Sequence, residues 1–367
     1  MTTSTHGPGA RGALLVTGGA GFIGSSLVRA ALADGWRVTT LDKLTYAGDP
    51  ANLDGLGEGH RLVHGDIADV ALVDGLLREL RPDAVLNLAA ETHVDRSIDG
   101  PAEFVRTNVD GVGVLLDRAR AHWAALDAGA RERFRFVQVS TDEVYGALGP
   151  EGRFTEESPF APNSPYAASK AGGDLLCRAW HRTYGLPVVV THCSNNYGPR
   201  QFPEKLIPLM IQSALAGRAL PVYGDGRNVR DWMHVHDHCV GLLAAVERGA
   251  PGESYLFGGA EGERANIDVV HALCDLLDEM APASEREATR GLCTHRELIR
   301  FVEDRPGHDL RYAVDASKAA RELGWRPAIS FDAGLRETVR WYLDHAGWCE
   351  ATTRRYEGAR LGLGGRA

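Results

Sequence analysis

The stretch Thr17-Gly18-Gly19-Ala20-Gly21-Phe22-Ile23-Gly24 decides the fold of this 367-residue chain. Its glycines match both GxGxxG, from Gly19 to Gly24, and GxxGxxG, from Gly18 to Gly24. An apolar run at 13–17 precedes the stretch, and residues 27–33 follow it with the period of a helix. Glycines between a strand and a helix make a tight turn, let a pyrophosphate approach the backbone and point the helix amino end at its charge. The stretch therefore predicts a dinucleotide-binding turn rather than a glycine-rich loop without a ligand.

Short apolar runs alternate with helical patterns through the first half of the chain. The runs of strand length are 13–17, 37–41, 62–64, 84–88 and 134–140, and helical patterns such as 27–33 and 70–80 lie between them. Strands that are apolar on both faces are typical of a parallel sheet whose helical crossovers cover both sides. The predicted fold class is α/β: a Rossmann-type doubly wound parallel sheet with a smaller mixed α/β substrate-binding lobe.

An acidic residue at the end of the second run predicts which dinucleotide binds. Asp42 lies 18 residues past Gly24, close to the spacing of the carboxylate that hydrogen-bonds the adenosine ribose. Because a carboxylate there repels a 2′-phosphate, it favours NAD over NADP, although Lys43 stands next to it. Asp66-Ile67 and the stretch 87–90 follow the third and fourth runs, at the edge where such sheets bind ligands. These polar groups are interpreted either as cofactor contacts or as caps of the strands.

These patterns divide the chain into four segments. Residues 1–12 are predicted to be a flexible N-terminus, and residues 13–195 an NAD-binding Rossmann domain that carries the catalytic residues. Residues 196–346, where proline and glycine are frequent, form mainly a substrate-binding lobe, with some strands or helices returning to the first domain. Residues 347–367 are a C-terminal tail, and the stretch 281–295 is predicted to be a surface excursion.

The composition excludes several classes of protein. A formal charge of −9 gives no broad basic surface for nucleic acid. The six cysteines are scattered without pairs at metal-ligand spacing, so we expect reduced thiols and no metal site. No apolar run reaches 18 residues, and the polar N-terminus is unlike a signal peptide. We therefore expect no membrane association and a cytoplasmic location.

A tyrosine and a lysine stand four residues apart near the start of a predicted helix. Ser164 and Pro165 are typical of a helix start, and the helical period continues to Tyr184. The spacing puts Tyr166 and Lys170 on one helix face. Lowering a phenol pKa from ~10 towards 7 requires about 4 kcal/mol, which a neighbouring ammonium and a cationic nicotinamide can supply. The pair suggests a phenolate base that takes a hydroxyl proton, the alternative being a surface tyrosine and lysine.

Two adjacent carboxylates, Asp142 and Glu143, follow the fifth run in the stretch Ser140-Thr141-Asp142-Glu143-Val144-Tyr145-Gly146. A simple dehydrogenase needs only a tyrosine, a lysine and a hydroxyl group. Eliminating water needs in addition an acid for the departing hydroxide and a base for a carbon-bound proton. Adjacent carboxylates repel each other, and their pKa values are pushed apart, so that one stays protonated while the other is ionised. The alternative is a solvated acidic turn.

Seven motifs together resemble one family of enzymes. They are TGGAGFIG from Thr17, AAETHVDRSI from Ala89, STDEVYG from Ser140, SPYAASK from Ser164, CSNNYGPRQFPEKLIP from Cys193, VRDWMHVHDH from Val229 and RPGHDLRYAVD from Arg305. From about Ala13 to His345, the chain resembles the dTDP-glucose 4,6-dehydratases of the extended short-chain dehydrogenase/reductase group. The resemblance implies an NAD-dependent lyase of deoxysugar biosynthesis whose substrate is dTDP-glucose.

The resemblance also implies a role for each matching residue. Tyr166, held by Lys170 and aided by Thr141, takes the proton of the sugar 4-hydroxyl while NAD accepts hydride from carbon 4. Glu143 then removes the proton of carbon 5 as Asp142 protonates the departing 6-hydroxyl, and hydride returns to carbon 6. The implied cofactor contacts are Gly18, Gly21, Phe22, Ile23, Gly24, Asp42, Lys43, Asp66, Ile67, Ala89, Thr107, Tyr166 and Lys170.

A site for the substrate nucleotide is implied in the same way. Its contacts are His93, Asn196, Lys205, Arg230, Asn266, Arg305 and His308. Cationic and amide donors suit a diphosphate in a chain whose net charge is negative. Thr92, His192 and Arg200-Gln201 depart from the family, which has Ser, Asn and often an aromatic residue with His there, and such changes can retune base or sugar preference. Family analogy further implies a homodimer paired through helices near 109–121 and 165–184.

Other enzymes and binders share the glycine turn and the tyrosine-lysine pair. An epimerase or a decarboxylase of nucleotide sugars needs no acid and base directed at carbons 5 and 6, so Asp142 and Glu143 argue against both. A non-catalytic NAD-binding protein is the alternative from another class. Such a protein has no need to keep Thr141, Tyr166 and Lys170.

Overall fold

A parallel sheet lies at the centre of the fold, between two layers of helices. The structure is a computed structural model that describes residues 11–304 and 308–356. Over these residues the strands are β1 (Gly12–Thr17), β2 (Trp36–Asp42), β3 (His60–His64), β4 (Ala84–Asn87), β5 (Arg135–Thr141), β6 (Val188–Cys193), β7 (Asn195–Tyr197), β8 (Leu220–Tyr223), β9 (Val229–His234), β10 (Ser254–Phe257), β11 (Glu263–Ala265) and β12 (Ile299–Val302). The α-helices are α1 (Phe22–Ala33), α2 (Val70–Leu80), α3 (Val94–Asp99), α4 (Pro101–Val105), α5 (Val112–Ala124), α6 (Ala128–Arg133), α7 (Pro165–Tyr184), α8 (Leu206–Leu215), α9 (Val235–Arg248), α10 (Asn266–Met280), α11 (Ser317–Glu322), α12 (Phe331–Asp344) and α13 (Ala346–Arg355).

The main sheet has seven strands in the order β10-β6-β5-β4-β1-β2-β3, and every pairing in it is parallel. Leu15 and Val16 of β1 are fully buried because helices cover both faces. α1 and α9 pack on one face, and α2, α5 and α7 pack on the other. The strand order changes direction between β1 and β4, the place where doubly wound sheets open a ligand crevice. The predicted fold class is confirmed.

The strand register brings the polar residues that end each strand to one edge of the sheet. Thr17 of β1 pairs with Leu41 of β2 and with Asn87 of β4. Thr141 of β5 pairs with Cys193 of β6 in the same sheet. The segments that follow β1, β2, β4 and β5 therefore meet above this edge, although they are far apart in sequence.

The predicted helices at 70–80 and 165–184 coincide with α2 and α7. At the start of α7, the hydroxyl of Ser164 accepts the N–H of Ala167 at 3.1 Å, as expected for a capping residue. Gly185, with φ of 74°, ends the same helix in the left-handed region. Local capping signals therefore fix both ends of the helix that carries the tyrosine-lysine pair.

The second half of the chain builds a smaller lobe and also completes the main sheet. A three-stranded sheet, β11-β9-β7, and a two-stranded sheet, β12-β8, belong to the lobe. Ile211 of α8, Leu273 of α10 and Leu335 of α12 share its core. β10 returns to pair with β6, and Leu242 of α9 packs in the same core as Leu27 of α1.

Both the predicted surface excursion and the predicted tail are bound to the rest of the fold. Most of the stretch 281–295 is exposed or half-buried, but its last residue, His295, is fully buried, and its Nδ1 lies 2.5 Å from Oδ1 of Asp278. Within the predicted tail, α13 forms contacts with both lobes: Trp348 Nε1 donates to Asn52 at 2.9 Å, and the Thr353 hydroxyl donates to Gln212 at 2.5 Å. Residues 1–10, which include most of the predicted flexible N-terminus, and 357–367 lie outside the described residues. Among the helices described, none has the length and apolar character needed to cross a bilayer.

The loop before α12 is tied to α9 by one buried carboxylate. Oδ2 of Asp237 accepts the N–H groups of Ala328 at 3.1 Å and Ile329 at 2.9 Å. Asp237→Ala leaves both N–H groups without this partner, so we expect the free energy of unfolding to fall by about 2–4 kcal/mol, measured by urea denaturation. Asp332→Ala, whose side chain is 84% exposed, is the control and should change it by less than about 0.5 kcal/mol. Equal losses in the two variants would contradict the structural role of Asp237.

Candidate active site

The glycine turn between β1 and α1 is packed too closely for side chains. A Cβ atom on Gly24 would lie 2.1 Å from the carbonyl oxygen of Gly18, and one on Gly18 would lie 2.7 Å from the backbone nitrogen of Ala89. Gly18 also has a φ of 68°, in the left-handed region. Because only hydrogen occupies these positions, the backbone of the turn stays open to a ligand at the amino end of α1.

A cavity of about 290 Å³ lies over this turn at the carboxyl edge of the sheet. Every residue predicted to contact the cofactor lines it: Gly18, Gly21, Phe22, Ile23, Gly24, Asp42, Lys43, Asp66, Ile67, Ala89, Thr107, Tyr166 and Lys170. Thr107 reaches the cavity from a π-helical turn, Arg106–Gly111, between α4 and α5. The ends of the strands and this π-helical turn thus line the same cavity.

Asp42, the predicted ribose ligand, also holds the turn in shape. Its Oδ2 accepts the N–H of Ala20 at 2.9 Å, and its Oδ1 accepts the N–H of Leu44 at 2.8 Å. Burial raises the pKa of Asp42, and these two backbone hydrogen bonds oppose that increase. The ammonium of Lys43 lies 3.1 Å from both Asp66 and Glu103. Since Lys43 is already paired with acids, it does not offset the repulsion that Asp42 exerts on a 2′-phosphate.

These residues fit a bound NAD. The closely packed glycines leave room for a pyrophosphate against the backbone, and Asp42 lines the cavity at the end of β2. A carboxylate accepts more than one hydrogen bond per oxygen, so Asp42 keeps capacity for ribose hydroxyl groups. The fit rests on the shape of the glycine turn and on the negative charge of Asp42 at the end of β2.

Tyr166 and Lys170 lie one turn apart on α7 and are both buried, with 7% and 4% of their surface exposed. Nζ of Lys170 donates to the carbonyl oxygen of Val139 on β5 at 2.8 Å. Burial lowers the pKa of Lys170, and the charge of Asp174 opposes this decrease. The interpretation as a surface tyrosine and lysine is therefore wrong.

The pKa of Tyr166 in the protein alone is shifted away from what a base requires. Burial raises it well above its ordinary value, and the charge of Glu143 adds to the increase, while a hydrogen bond with Thr141 opposes it. The sequence predicts only the favourable charges near the phenol. The desolvation that outweighs them comes from the packing of α7 against the sheet.

Asp142 and Glu143 begin a 3₁₀ turn, Asp142–Tyr145, directly after β5. Thr141 Oγ1 accepts the N–H of Glu143 and donates to Oδ1 of Asp142, both at 3.3 Å. Asp142 is 2% exposed, and its Oδ2 is buried without a hydrogen-bond partner among the described residues. Burial and the charge of Glu143 raise the pKa of Asp142 well above its ordinary value. Asp142 is thus not part of a solvated acidic turn, and its surroundings favour the protonated form of the carboxyl group.

A second cavity, of about 580 Å³, adjoins the first and extends into the smaller lobe. The described residues that were predicted to contact substrate all line it: His93, Asn196, Lys205, Arg230, Asn266 and His308. Arg305, the remaining predicted contact, lies outside the described residues. Six residues line both cavities and mark where they meet: Glu143, Asn195, Asn196, Gln201, Glu204 and Lys205. The two cavities therefore form one continuous site.

The donors in the second cavity are held by backbone contacts. The guanidinium of Arg230 donates to the carbonyl oxygens of Val229 at 2.8 Å and Asp309 at 2.9 Å, and it lies 4.3 Å from the ring centroid of Tyr312. Nζ of Lys205 donates to the carbonyl oxygen of Thr92 at 2.9 Å. Cations fixed in this way are preorganised for an anionic ligand such as a diphosphate.

Glu204 and Tyr356 are among the lining residues that sequence reasoning missed. Glu204 lines both cavities, accepts a hydrogen bond from the Tyr46 hydroxyl at 3.2 Å, and has its pKa raised by burial. Glu204 lies in the FPEKLIP part of the motif that begins at Cys193, so that motif is a sequence signal for it. Tyr356 lines the second cavity from just after α13, and no sequence signal pointed to it. No cluster of potential metal ligands occurs within 11–304 and 308–356.

The fold and the paired cavities define the class as an NAD-binding enzyme of the extended short-chain dehydrogenase/reductase group. A sequence model of the GDP-mannose 4,6 dehydratase family matches residues 15–338. A dTDP-glucose 4,6-dehydratase from Xanthomonas campestris pv. campestris (strain B100) is 56% identical over 339 residues, covering 92% of this chain and 94% of the relative. A dTDP-glucose 4,6-dehydratase structure from Streptomyces venezuelae, with NAD and dTDP bound, is 48% identical, has a TM-score of 0.81 and covers 93% and 99% of the two chains. The chain therefore belongs to the dTDP-glucose 4,6-dehydratase family, and the predicted resemblance is confirmed.

The same fold also serves other reactions on nucleotide sugars. A UDP-glucose 4-epimerase from Thermotoga maritima has a TM-score of 0.78, with 27% identity over 91% of this chain and 99% of its own. The fold alone thus does not separate an epimerase from a dehydratase. The distinction rests on the much higher identity to dehydratases and on the Asp142–Glu143 pair.

The close packing of the glycine turn gives a direct test of the cofactor site. Gly24→Ala places a methyl group against the Gly18 carbonyl, so we expect the turn to shift and NAD affinity to fall at least about tenfold, or 1.4 kcal/mol, by isothermal titration calorimetry. Gly75→Ala is a matched control in α2, since nothing lies within 4 Å of the added atom. It should keep NAD affinity and stabilise the helix by about 0.5–1 kcal/mol. Unchanged affinity in Gly24→Ala would rule out the turn as the pyrophosphate site.

Proposed function

We propose that this protein converts dTDP-glucose to dTDP-4-keto-6-deoxyglucose and water, with NAD as its resident cofactor. The observation that carries the proposal is the position of Asp142 and Glu143. Both line the first cavity beside Tyr166, and Glu143 lines the second cavity as well. This position at the junction of the two cavities supports roles for the pair as the acid and the base of an elimination.

The first task of the site is to oxidise carbon 4 of the sugar. When bound, NAD supplies the hydride acceptor and a positively charged ring. Tyr166 takes the proton of the 4-hydroxyl, and the Lys170 ammonium stabilises the phenolate that does so. A hydrogen bond between Thr141 and Tyr166 lowers the pKa of Tyr166 against the effect of burial. The 4-ketone that results makes the proton on carbon 5 acidic.

The second task is to eliminate water across carbons 5 and 6. Glu143 removes the proton of carbon 5, and the electron pair of that C–H bond forms the double bond. Asp142, kept protonated by burial, gives its proton to the 6-hydroxyl as the C–O bond breaks. One proton is taken and one is given, so the pair ends with reversed protonation. The hydride taken from carbon 4 then returns to carbon 6, and Glu143 gives its proton to carbon 5 to complete the product. Solvent then reprotonates Asp142 and takes the proton from Tyr166.

The nucleotide anchors the sugar for these steps. Arg230, Lys205 and Asn266 present cationic and amide groups to the second cavity, which suits a diphosphate and a base. His93, Asn196 and His308 add further polar groups to the lining of this cavity. Binding energy from the nucleotide fixes the sugar at the junction of the cavities, so the reacting atoms are positioned without freedom to diffuse.

Turnover with dTDP-glucose tests the function itself. Purified protein incubated with dTDP-glucose and NAD should yield a 4-keto-6-deoxy sugar with its alkaline absorbance and a mass lower by one water. In D₂O the product should carry solvent deuterium at carbon 5, because the proton taken there exchanges before it is replaced. Bound NAD without product from any nucleotide-glucose would favour an epimerase, a decarboxylase or a silent binder.

Separate variants test the acid and the base. Asp142→Asn cannot give a proton to the leaving hydroxyl, and Glu143→Gln cannot take one from carbon 5. Each should lower kcat by about 10²–10⁴-fold, the usual range for general acid-base catalysis, with KM for dTDP-glucose changed much less. The Asp42→Asn variant serves as a comparison, since it should weaken NAD binding rather than the elimination step. If Asp142→Asn keeps full kcat, Asp142 is not the acid.

We also propose that the protein acts as a homodimer in the cytoplasm, paired through α5 and α7. Leu175 and Tyr184 of α7 are large apolar side chains that are 55% and 49% exposed, which supports a partner on this face. All six cysteines are free, as suits a reducing compartment.

Light scattering of a charged variant tests the dimer. The intact protein should have twice the mass of one chain, and Leu175→Asp should give a monomer because a charge then faces the apolar partner surface. Val240→Asp, at an exposed apolar residue of α9 on the other face of the sheet, is the control and should remain dimeric. A monomer mass for the unmodified protein would exclude the dimer.

A further inference from the structure

A buried group of polar side chains lies behind the tyrosine-lysine pair and has no part in the steps described above. It consists of Asp174, Ser140, His192 and Tyr145, and is named the Asp174 cluster. Asp174 and His192 are 3% and 1% exposed, and Ser140 and Tyr145 are each 4% exposed. Asp174 stands on α7 one turn beyond Lys170, and it lines neither cavity.

The cluster holds one oxygen of the Asp174 carboxylate in place. Oδ2 of Asp174 accepts the Ser140 hydroxyl at 2.6 Å and lies 3.3 Å from Nε2 of His192. Nδ1 of His192 lies 3.1 Å from the Tyr145 hydroxyl. With the proton on Nε2, the imidazole donates to Asp174 and accepts from Tyr145, so both ring nitrogens have a partner. Strands β5 and β6 thus position a carboxylate that belongs to α7.

The other oxygen of Asp174 needs a positive charge nearby. Oδ1 is buried and has no hydrogen-bond partner among the described residues. A buried carboxylate is costly unless it is paired with a cation. Lys170 is four residues earlier on the same face of α7, and its ammonium is bound to Val139, next to Ser140 on β5.

Lys170 in turn depends on a negative charge. Burial lowers the pKa of Lys170, and Asp174 is the principal group that opposes this decrease, with Cys193 and Cys177 as the other titratable neighbours. An uncharged amine behind Tyr166 would leave the phenolate without its stabilising cation. Both needs favour an electrostatic interaction of the two buried groups across one turn of α7, although among the described residues no ion pair within 4.0 Å joins them directly.

We propose that Asp174 is a positioning residue that keeps the ammonium of Lys170 charged behind Tyr166, and that Ser140 and His192 hold its carboxylate in place. This electrostatic pairing is inferred from the burial of both groups on one face of α7 and from the contacts that hold each of them to β5 and β6. Its effect on turnover rests on the proposed dehydratase function, so the two need separate measurements.

The small number of lysines makes the charge of Lys170 directly measurable. The chain has four: Lys43, Lys170, Lys205 and Lys318. Holoenzyme labelled with ¹³Cε-lysine gives four signals by NMR, and Lys170→Arg identifies the one in question. Asp174→Asn should lower the pKa of Lys170 by on the order of one unit or more, since an opposite charge is removed from a buried site. The other three lysines should titrate as before and serve as internal controls.

The pH dependence of kcat with dTDP-glucose tests the consequence for Tyr166. Loss of the Lys170 charge raises the pKa of the phenol, so the acid limb of the profile should move to higher pH. A shift of one unit lowers kcat about tenfold on that limb. KM should stay nearly unchanged, because Asp174 lines neither cavity. Ser140→Ala, which removes one hydroxyl, should shift the limb in the same direction by less.

Asp237→Asn is the matched control for a buried carboxylate, 4% exposed and on α9. It should lower stability and leave the acid limb and the Lys170 titration where they are. If Asp174→Asn fails to fold, Ser140→Ala carries both measurements. Unchanged Lys170 pKa and an unchanged acid limb in the variants would overturn the proposal. Absence of product from the unmodified enzyme would instead contradict the proposed function, and the NMR titration would still decide the pairing.

Discussion

Close contact between the glycine turn and the ends of β1 and β4 is the constraint on which the rest of the site depends. Gly18 lies against the backbone of Ala89, and Gly24 lies against Gly18, at distances that exclude any side chain. This packing sets the start of α1 above the carboxyl edge of the sheet. It also fixes the backbone that Asp42 bonds on both sides, so the ribose and pyrophosphate regions form one rigid surface.

Burial then sorts the protonation states of the catalytic groups. It raises the pKa of Asp142, which favours the protonated form that an acid requires. For Tyr166 the same burial works against the base, and charge and hydrogen bonding must oppose it. Removal from water therefore favours Asp142 as an acid and opposes Tyr166 as a base. A positive charge near Tyr166 is therefore a requirement of the site. The proposed role of the Asp174 cluster, which is to keep Lys170 charged, meets that requirement.

The smaller lobe supplies part of the site from residues that are far in sequence from the glycine turn. Lys205 lies 2.9 Å from the backbone of Thr92, and Tyr46 bonds Glu204, so segments from both halves of the chain meet at the junction of the cavities. α13 adds a further connection, because it contacts Asn52 in the first domain and Gln212 in the second. The shape of the nucleotide cavity is a property of this assembly rather than of any one motif.

The sequence by itself determined the α/β class, the limits of α2 and α7, and the position of the glycine turn, because periodicity, caps and glycine spacing are local signals. The residues that it predicted as cofactor contacts line one cavity, since residues that end parallel strands share an edge. Only the tertiary structure decided the burial of Asp142, the direction of the Tyr166 pKa and the inclusion of Tyr356. Each of these depends on how completely distant segments remove a side chain from water. No local pattern of residues encodes that quantity.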